Sequence, residues 1–188
     1  LLAEYHKSLT YFRHPYLHRG NNKAKADSLI EYLHLKNYIE APVTIDNAEW
    51  IFAAAYDSVL KTHDTKIISL VGDTYIAYME SKLKYYEQQS ARLFGRNINQ
   101  VLLIHANSLN ADYMGLLLQM FVKNGYCFVN LETALQDDCY KTADHFYKNG
   151  GISWLDRWAI TQGKGRDFFA GEPVCPEFIM KLARVDSE

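Results

Sequence analysis

Short apolar runs alternate along this chain with longer segments of helical period, and that alternation limits the folds open to it. Asn22 to Leu35 places Ala24, Leu29, Ile30, Leu33 and Leu35 among charged residues, which predicts a helix. Ile51 to Leu60 is Ala-rich and also reads as helical. Ile67 to Arg92 repeats Leu70, Tyr75, Ile76, Met79 and Leu83 mostly at three- and four-residue steps, until Gly95 and Asn97 to Asn99 stop the pattern. Ala111 to Lys123 is a further helix closed by Asn124-Gly125, and Leu131 to Leu135 begins another. Between these segments lie three runs that suit buried strands: Ala41 to Asp46, Gln100 to His105 and Tyr126 to Asn130. Strand and helix in alternation predict an α/β fold, a parallel sheet covered by helices. Three or four strands are too few to close a barrel and match part of one. The chain from Gln136 onward reads as irregular.

In parallel sheets and barrels, chemistry gathers where strands end at their carboxyl side. Two polar residues stand at such ends here. Asp46 follows Val43-Thr44-Ile45, and His105 follows Leu102-Leu103-Ile104. Both are candidate site residues.

Composition narrows the class. At roughly 150 residues per domain, 188 residues make about one domain. Lys and Arg number 20 against 22 Asp and Glu, a net charge of -2, so the basic footprint of a general nucleic-acid binder is missing. Cys127, Cys139 and Cys175 are too few and too irregularly spaced for a disulfide framework. The longest apolar stretches, such as Trp50 to Ala55 and Val101 to Ile104, fall far short of a membrane span.

Three segments, taken in order, resemble one family. Tyr11-Phe12-Arg13-His14-Pro15-Tyr16-Leu17 is similar to the Arg-x-Pro-Tyr motif of polysaccharide deacetylases, the NodB-homology group of carbohydrate esterase family four. Thr44-Ile45-Asp46-Asn47-Ala48-Glu49-Trp50 resembles that family's Asp-x-x-carboxylate-Trp motif. Leu102-Leu103-Ile104-His105-Ala106-Asn107 resembles its last motif, an apolar strand that delivers the active-site His. The likeness runs from about Phe12 to Tyr140. It makes 1–140 the carboxyl-terminal portion of such a domain and 141–188 an irregular extension packed on it.

The resemblance implies a distorted (β/α) barrel and metal-dependent removal of N-acetyl, sometimes O-acetyl, groups from an amino-sugar polysaccharide. A divalent metal, commonly zinc, would polarise the acetyl carbonyl and activate water. By the same likeness, Arg13 would orient a catalytic base, and Tyr16 would bind the oxyanion through its backbone N–H. His105 would be the general acid on the leaving amine, with Glu49 orienting it. The family more often has Asp where Glu49 stands, so Asp46 could share that role. Trp50 and Leu103 would wall the acetyl pocket, with Pro15 beside them.

The family's Thr-Phe-Asp-Asp and His-x-x-x-His motifs, which carry the base and the metal ligands, precede its Arg-x-Pro-Tyr motif and do not occur before Arg13 here. Asp137-Asp138 imitates the acidic pair in the wrong context. His14-x-x-x-His18 imitates the metal pair, but Pro15 keeps those residues off a shared helix face. The chain opens Leu1-Leu2-Ala3-Glu4, with neither an initiator Met nor a secretory pattern, so the expectation is a missing front segment. Such a segment could carry an export or periplasmic signal. The other reading is a truncated, catalytically inactive homologue that binds glycan or a partner protein.

The remaining candidates read as structural. Tyr75, Tyr78, Tyr85 and Tyr86 have the spacing of a packing stripe, with Lys82, Lys84 and Glu87 on the solvated side. Trp154 and Trp158 suit burial better than sugar stacking, and Cys127 suits a buried strand. His6, His34, His63 and His145 have no motif partners and read as surface residues.

Overall fold

The computed structural model describes residues 2–5 and 9–188 of the chain. Its elements are β1 (Tyr11–Phe12), α1 (Lys23–Leu35), β2 (Ile39–Glu40), α2 (Glu49–Leu60), α3 (Thr65–Phe94), α4 (Ser108–Lys123), α5 (Leu131–Ala134), α6 (Trp154–Thr161) and α7 (Glu177–Ala183). Helix accounts for 56% of the described residues and strand for 3%. The expected α/β barrel portion is therefore corrected: the fold is mostly helical.

Several helices start where the sequence supplies a side-chain cap. Asn22 accepts from the Lys25 N–H to open α1, and Asp64 accepts from the Lys66 and Ile67 N–H groups to open α3. α3 then runs 30 residues until Gly95 takes a left-handed conformation (φ 72°) and closes it on the Ala91 carbonyl. Val71, Tyr75, Tyr78, Met79, Leu83 and Tyr86 form its buried stripe, packed against α2, α4 and α6. Lys82 lies on the same stripe and is buried, not solvated; it pairs with Glu172 at 2.6 Å.

The three expected strands stay largely unpaired for identifiable reasons. Thr44 and Ile45 both donate from their backbone N–H groups to the Val101 carbonyl, at 2.9 and 3.0 Å. The Val101 N–H returns to the Thr44 hydroxyl at 2.7 Å, so a side chain stands where a ladder carbonyl would. One parallel bridge, Ile45 to Leu102, remains. The side chain of Asn47 then donates to the Leu103 carbonyl at 2.8 Å and ends the pairing. On its other side, Val43 accepts from the Trp154 N–H at the start of α6. Tyr126 to Asn130 joins no ladder, and Cys127, Phe128 and Val129 are exposed, which corrects the buried-strand expectation for Cys127. β1 and β2 pair in parallel over two residues each.

The carboxyl-terminal stretch is ordered into α6 and α7 instead of being irregular, and it packs on the rest of the molecule. α7 lies along α2, and Trp154, Leu155, Trp158 and Ile179 join the common core with Phe52, Tyr75 and Leu109. Trp154 and Trp158 are buried as expected. His34, His63 and His145 are exposed; His6 lies outside the described residues. No helix among the described residues is long and apolar enough to cross a membrane.

Candidate functional site

A cavity of about 800 Å³ opens where three separated segments converge. Its lining includes Arg13, Pro15 and Tyr16 from the first segment, Asp46 and Trp50 from the second, and Leu103 and His105 from the third. The size falls in the roughly 300–1,000 Å³ range of clefts that take small organic ligands. Seven of the eight residues singled out from sequence line this cavity, and the eighth, Glu49, sits directly behind His105.

Glu49 is almost fully buried at the first turn of α2, and the segment around Leu103 brings His105 to it. The Glu49 carboxylate meets His105 Nδ1 at 2.7 Å. A carboxylate only accepts, so Nδ1 carries the hydrogen and Nε2 is left free of this contact. The other Glu49 oxygen accepts from the Asn107 and Asn110 side-chain amides, the second at 2.8 Å. Asn110 also donates to the His105 carbonyl at 2.8 Å and accepts from the buried Tyr75 hydroxyl at 2.8 Å. Asn47 accepts from the Glu49 N–H at 2.9 Å. The dyad is thus locked by a buried polar network whose members are mutually satisfied. His105 is the most exposed member, with a side chain 57% exposed.

The orienting carboxylate is Glu49; Asp46 makes no hydrogen bond to His105. Asp46 lines the cavity and accepts from the Asn47 N–H at 2.9 Å, and burial pushes its carboxyl up to about 6. Arg13 is half-buried at the cavity wall. Its Nε donates to the Ala41 carbonyl at 3.3 Å, and it forms no ion pair with any carboxylate of the described residues. Desolvation lowers its pKa from the ordinary guanidinium value.

Tyr16 and Leu17 both have left-handed backbone conformations, at φ 53° and 54°. For non-glycine residues each costs about 1–3 kcal/mol and persists only when the surroundings impose it. Gly151 does so: a Cβ at that position would lie 1.8 Å from the Tyr16 carbonyl oxygen. The loop before α6 therefore presses on this turn at a point that only glycine permits.

The two imitations of missing motifs do other work. Asp137 pairs with Arg96 and caps a turn, while Asp138 pairs with Lys141. His14 is buried, with Nε2 at 2.6 Å from Glu40 and its ring stacked on Trp154. Arg19 joins Glu40 to Asp144, and Arg157 closes this ion network from α6. Among the described residues, no three His, Cys, Asp or Glu side chains converge to hold a metal ion. The divalent metal implied by the resemblance therefore does not fit the residues present, and no chemical step is routed through one.

Sequence reasoning missed Asn47, Asn107, Asn110 and Tyr75, which hold Glu49, and Gly151, which holds the Tyr16 turn. Asn107 had a readable signal, because it stands two residues past His105 at the cap position of α4. Gly151 had none: its partner is remote in sequence. A comparison with known protein families, with curated proteins and with solved structures returns no match.

Proposed function

We propose that the chain carries part of a hydrolytic site in which a His-carboxylate dyad protonates a leaving group. The particular reaction we assign is removal of acetyl groups, N-acetyl and also O-acetyl, from an amino-sugar polysaccharide. The observation that carries this reading is the Glu49–His105 contact at a cavity that also gathers Arg13, Tyr16, Trp50 and Leu103.

In this reading water adds to the acetyl carbonyl carbon, the carbon-nitrogen bond breaks, and the departing amine takes a proton. Glu49 fixes the imidazole so that Nε2 delivers that proton. Trp50 and Leu103 exclude water from the acetyl methyl. Tyr16 offers its backbone N–H to the oxyanion, and Arg13 offers an uncompensated positive charge to the carboxylate that acts as base. That base and any divalent metal, zinc included, would have to come with ligands from sequence outside the described residues.

A second reading, glycan binding without turnover, is favoured by the lack of a metal-holding group among the described residues. Acetate release from the β-1,4-linked tetramer of N-acetylglucosamine, assayed on the full-length protein with zinc added, separates the two. Stoichiometric acetate with a free amine on the sugar supports deacetylation. Binding of the tetramer without acetate supports the second reading.

A further inference from the structure

Lys82 is a buried cation on the inner stripe of α3, and the carboxylates around it come from four separate segments. Glu172 meets its Nζ at 2.6 Å, and Glu188 stands at 3.8 Å. Asp46 and Asp156 feel the same charge. One cation therefore faces four carboxylates, and Asp156 of α6 is the least compensated of them. It is 8% exposed, its Oδ2 accepts from the Ser153 hydroxyl at 2.8 Å, and its buried Oδ1 has no hydrogen-bond partner among the described residues. Lys82, Tyr85 and Tyr86 face it from α3, Glu172 from the segment before α7, and Asp46 from the segment before α2. Arg157, the next residue, is turned to Asp144. Burial pushes the Asp156 carboxyl up to about 7; Glu172 and Asp46 add to that, and Ser153 and Lys82 oppose it.

Glu172 and Glu188 belong to one stretch, residues 171–188, which lays α7 along α2. Tyr86 donates to Glu172 at 3.3 Å, and the Cys175 N–H donates to Glu188 at 2.6 Å. The Tyr78 hydroxyl donates to Glu188 at 3.2 Å and accepts at 2.9 Å from the N–H of Ala48, which precedes α2. Both ends of the stretch thus dock by setting a carboxylate beside Lys82, where Asp46 and Asp156 already lie. With all four ionised, docking gathers like charges in a buried place. With Asp46 and Asp156 neutral, Lys82 is left to Glu172 and Glu188. We propose that residues 171–188 form a proton-controlled latch, closed over Lys82 when Asp46 and Asp156 carry protons and loosened when they ionise. Closing raises both carboxyls above their ordinary values near 4, so the closed form holds protons more tightly. Its advantage is therefore lost as pH rises through 6 and 7. The Tyr78 bridge carries the change to the start of α2, where Glu49 stands. The latch does not depend on which reaction the cavity performs.

The test is hydrogen exchange of the full-length protein between pH 6 and 8. It is read at the α7 amides as protection factors, which divide out the base catalysis of exchange itself. The expected result is α7 protection lower than that of α3, falling at least about tenfold over this range. Asp156→Asn keeps an acceptor for the Ser153 hydroxyl and removes the ionisable group, so protection there should fall no more than about threefold, the share left to Asp46. Protection of α7 that is independent of pH in the parent overturns the latch, and so does an equal fall in Asp156→Asn. Protection of α7 equal to that of α3 shows that the stretch opens only with the whole fold, and overturns it as well.

Discussion

Glu49 and His105 stand 56 positions apart and meet through a 2.7 Å hydrogen bond, with the acid buried and the imidazole open to the cavity. The asymmetry gives each residue a distinct role. A buried carboxylate held by the Asn107 and Asn110 amides cannot reach a ligand, so it acts through the ring it orients.

Glu49→Gln tests that arrangement. The new amide nitrogen would face His105 Nδ1–H or the Asn107 and Asn110 amides, setting donor against donor in a buried site. The expected loss is about 1–3 kcal/mol of stability, read by thermal or denaturant unfolding, together with a clear fall in acetate release. A variant as stable and as active as the parent would show that the network does not depend on a carboxylate.

Arg13→Ala should separate activity from stability. The guanidinium is half-buried and its contact is one 3.3 Å hydrogen bond to a carbonyl, so unfolding should change by less than about 1 kcal/mol. Acetate release should drop sharply. Unchanged release would remove Arg13 from the site.

Gly151→Ala should destabilise the protein by about 1–3 kcal/mol, because a Cβ there meets backbone and cannot be relieved by a rotamer change. Gly115→Ala is the contrast. It lies in α4 with nothing near its Cβ position, and it should stabilise by about 0.5–1 kcal/mol. Equal effects in the two variants would mean that the Tyr16 turn does not need the close approach.

Asp46 makes stability depend on pH. Its carboxyl ionises near 6 in the folded chain but near 4 when unfolded, so the folded state holds the proton more tightly. Stability contributed by the protonated form is therefore present at about pH 4 and is lost as pH rises through 6. Burial is the largest cause; the hydrogen bond from the Asn47 N–H and the charge of Lys82 oppose it, and Glu172 and Glu188 add to it. Asp46→Asn should be more stable than the parent by about 1–2 kcal/mol at pH 7.5, with the difference shrinking toward pH 4. Denaturant titration across that range checks it, and a difference independent of pH would contradict it.

The helices were legible because their signals are local. Asn22 and Gly95 cap the helices that their positions announced, and the Tyr75, Tyr78, Tyr85 and Tyr86 stripe packs inward as its spacing required. Lys82 was misread from its charged neighbours Lys84 and Glu87. It lies four residues from both Tyr78 and Tyr86, so the periodicity already placed it inside. The sheet was illegible for a different reason. Apolar runs specify burial, whereas pairing depends on remote partners such as the Thr44 hydroxyl, which took the place of a ladder carbonyl at Val101. The same remoteness hid Gly151. The clustering of the candidate residues at one cavity was legible without the fold, since short motifs fix which residues cluster but not how the chain between them is built.

Acetate release by His105→Ala tests the central claim most directly. Full-length parent and variant are assayed side by side on the acetylated tetramer with zinc present, and bound metal is measured in both. The expected result is loss of about 10²-fold or more in turnover with metal content unchanged, the effect of removing a positioned general acid. Turnover in His105→Ala equal to that of the parent would contradict the role of the Glu49–His105 pair as the proton donor.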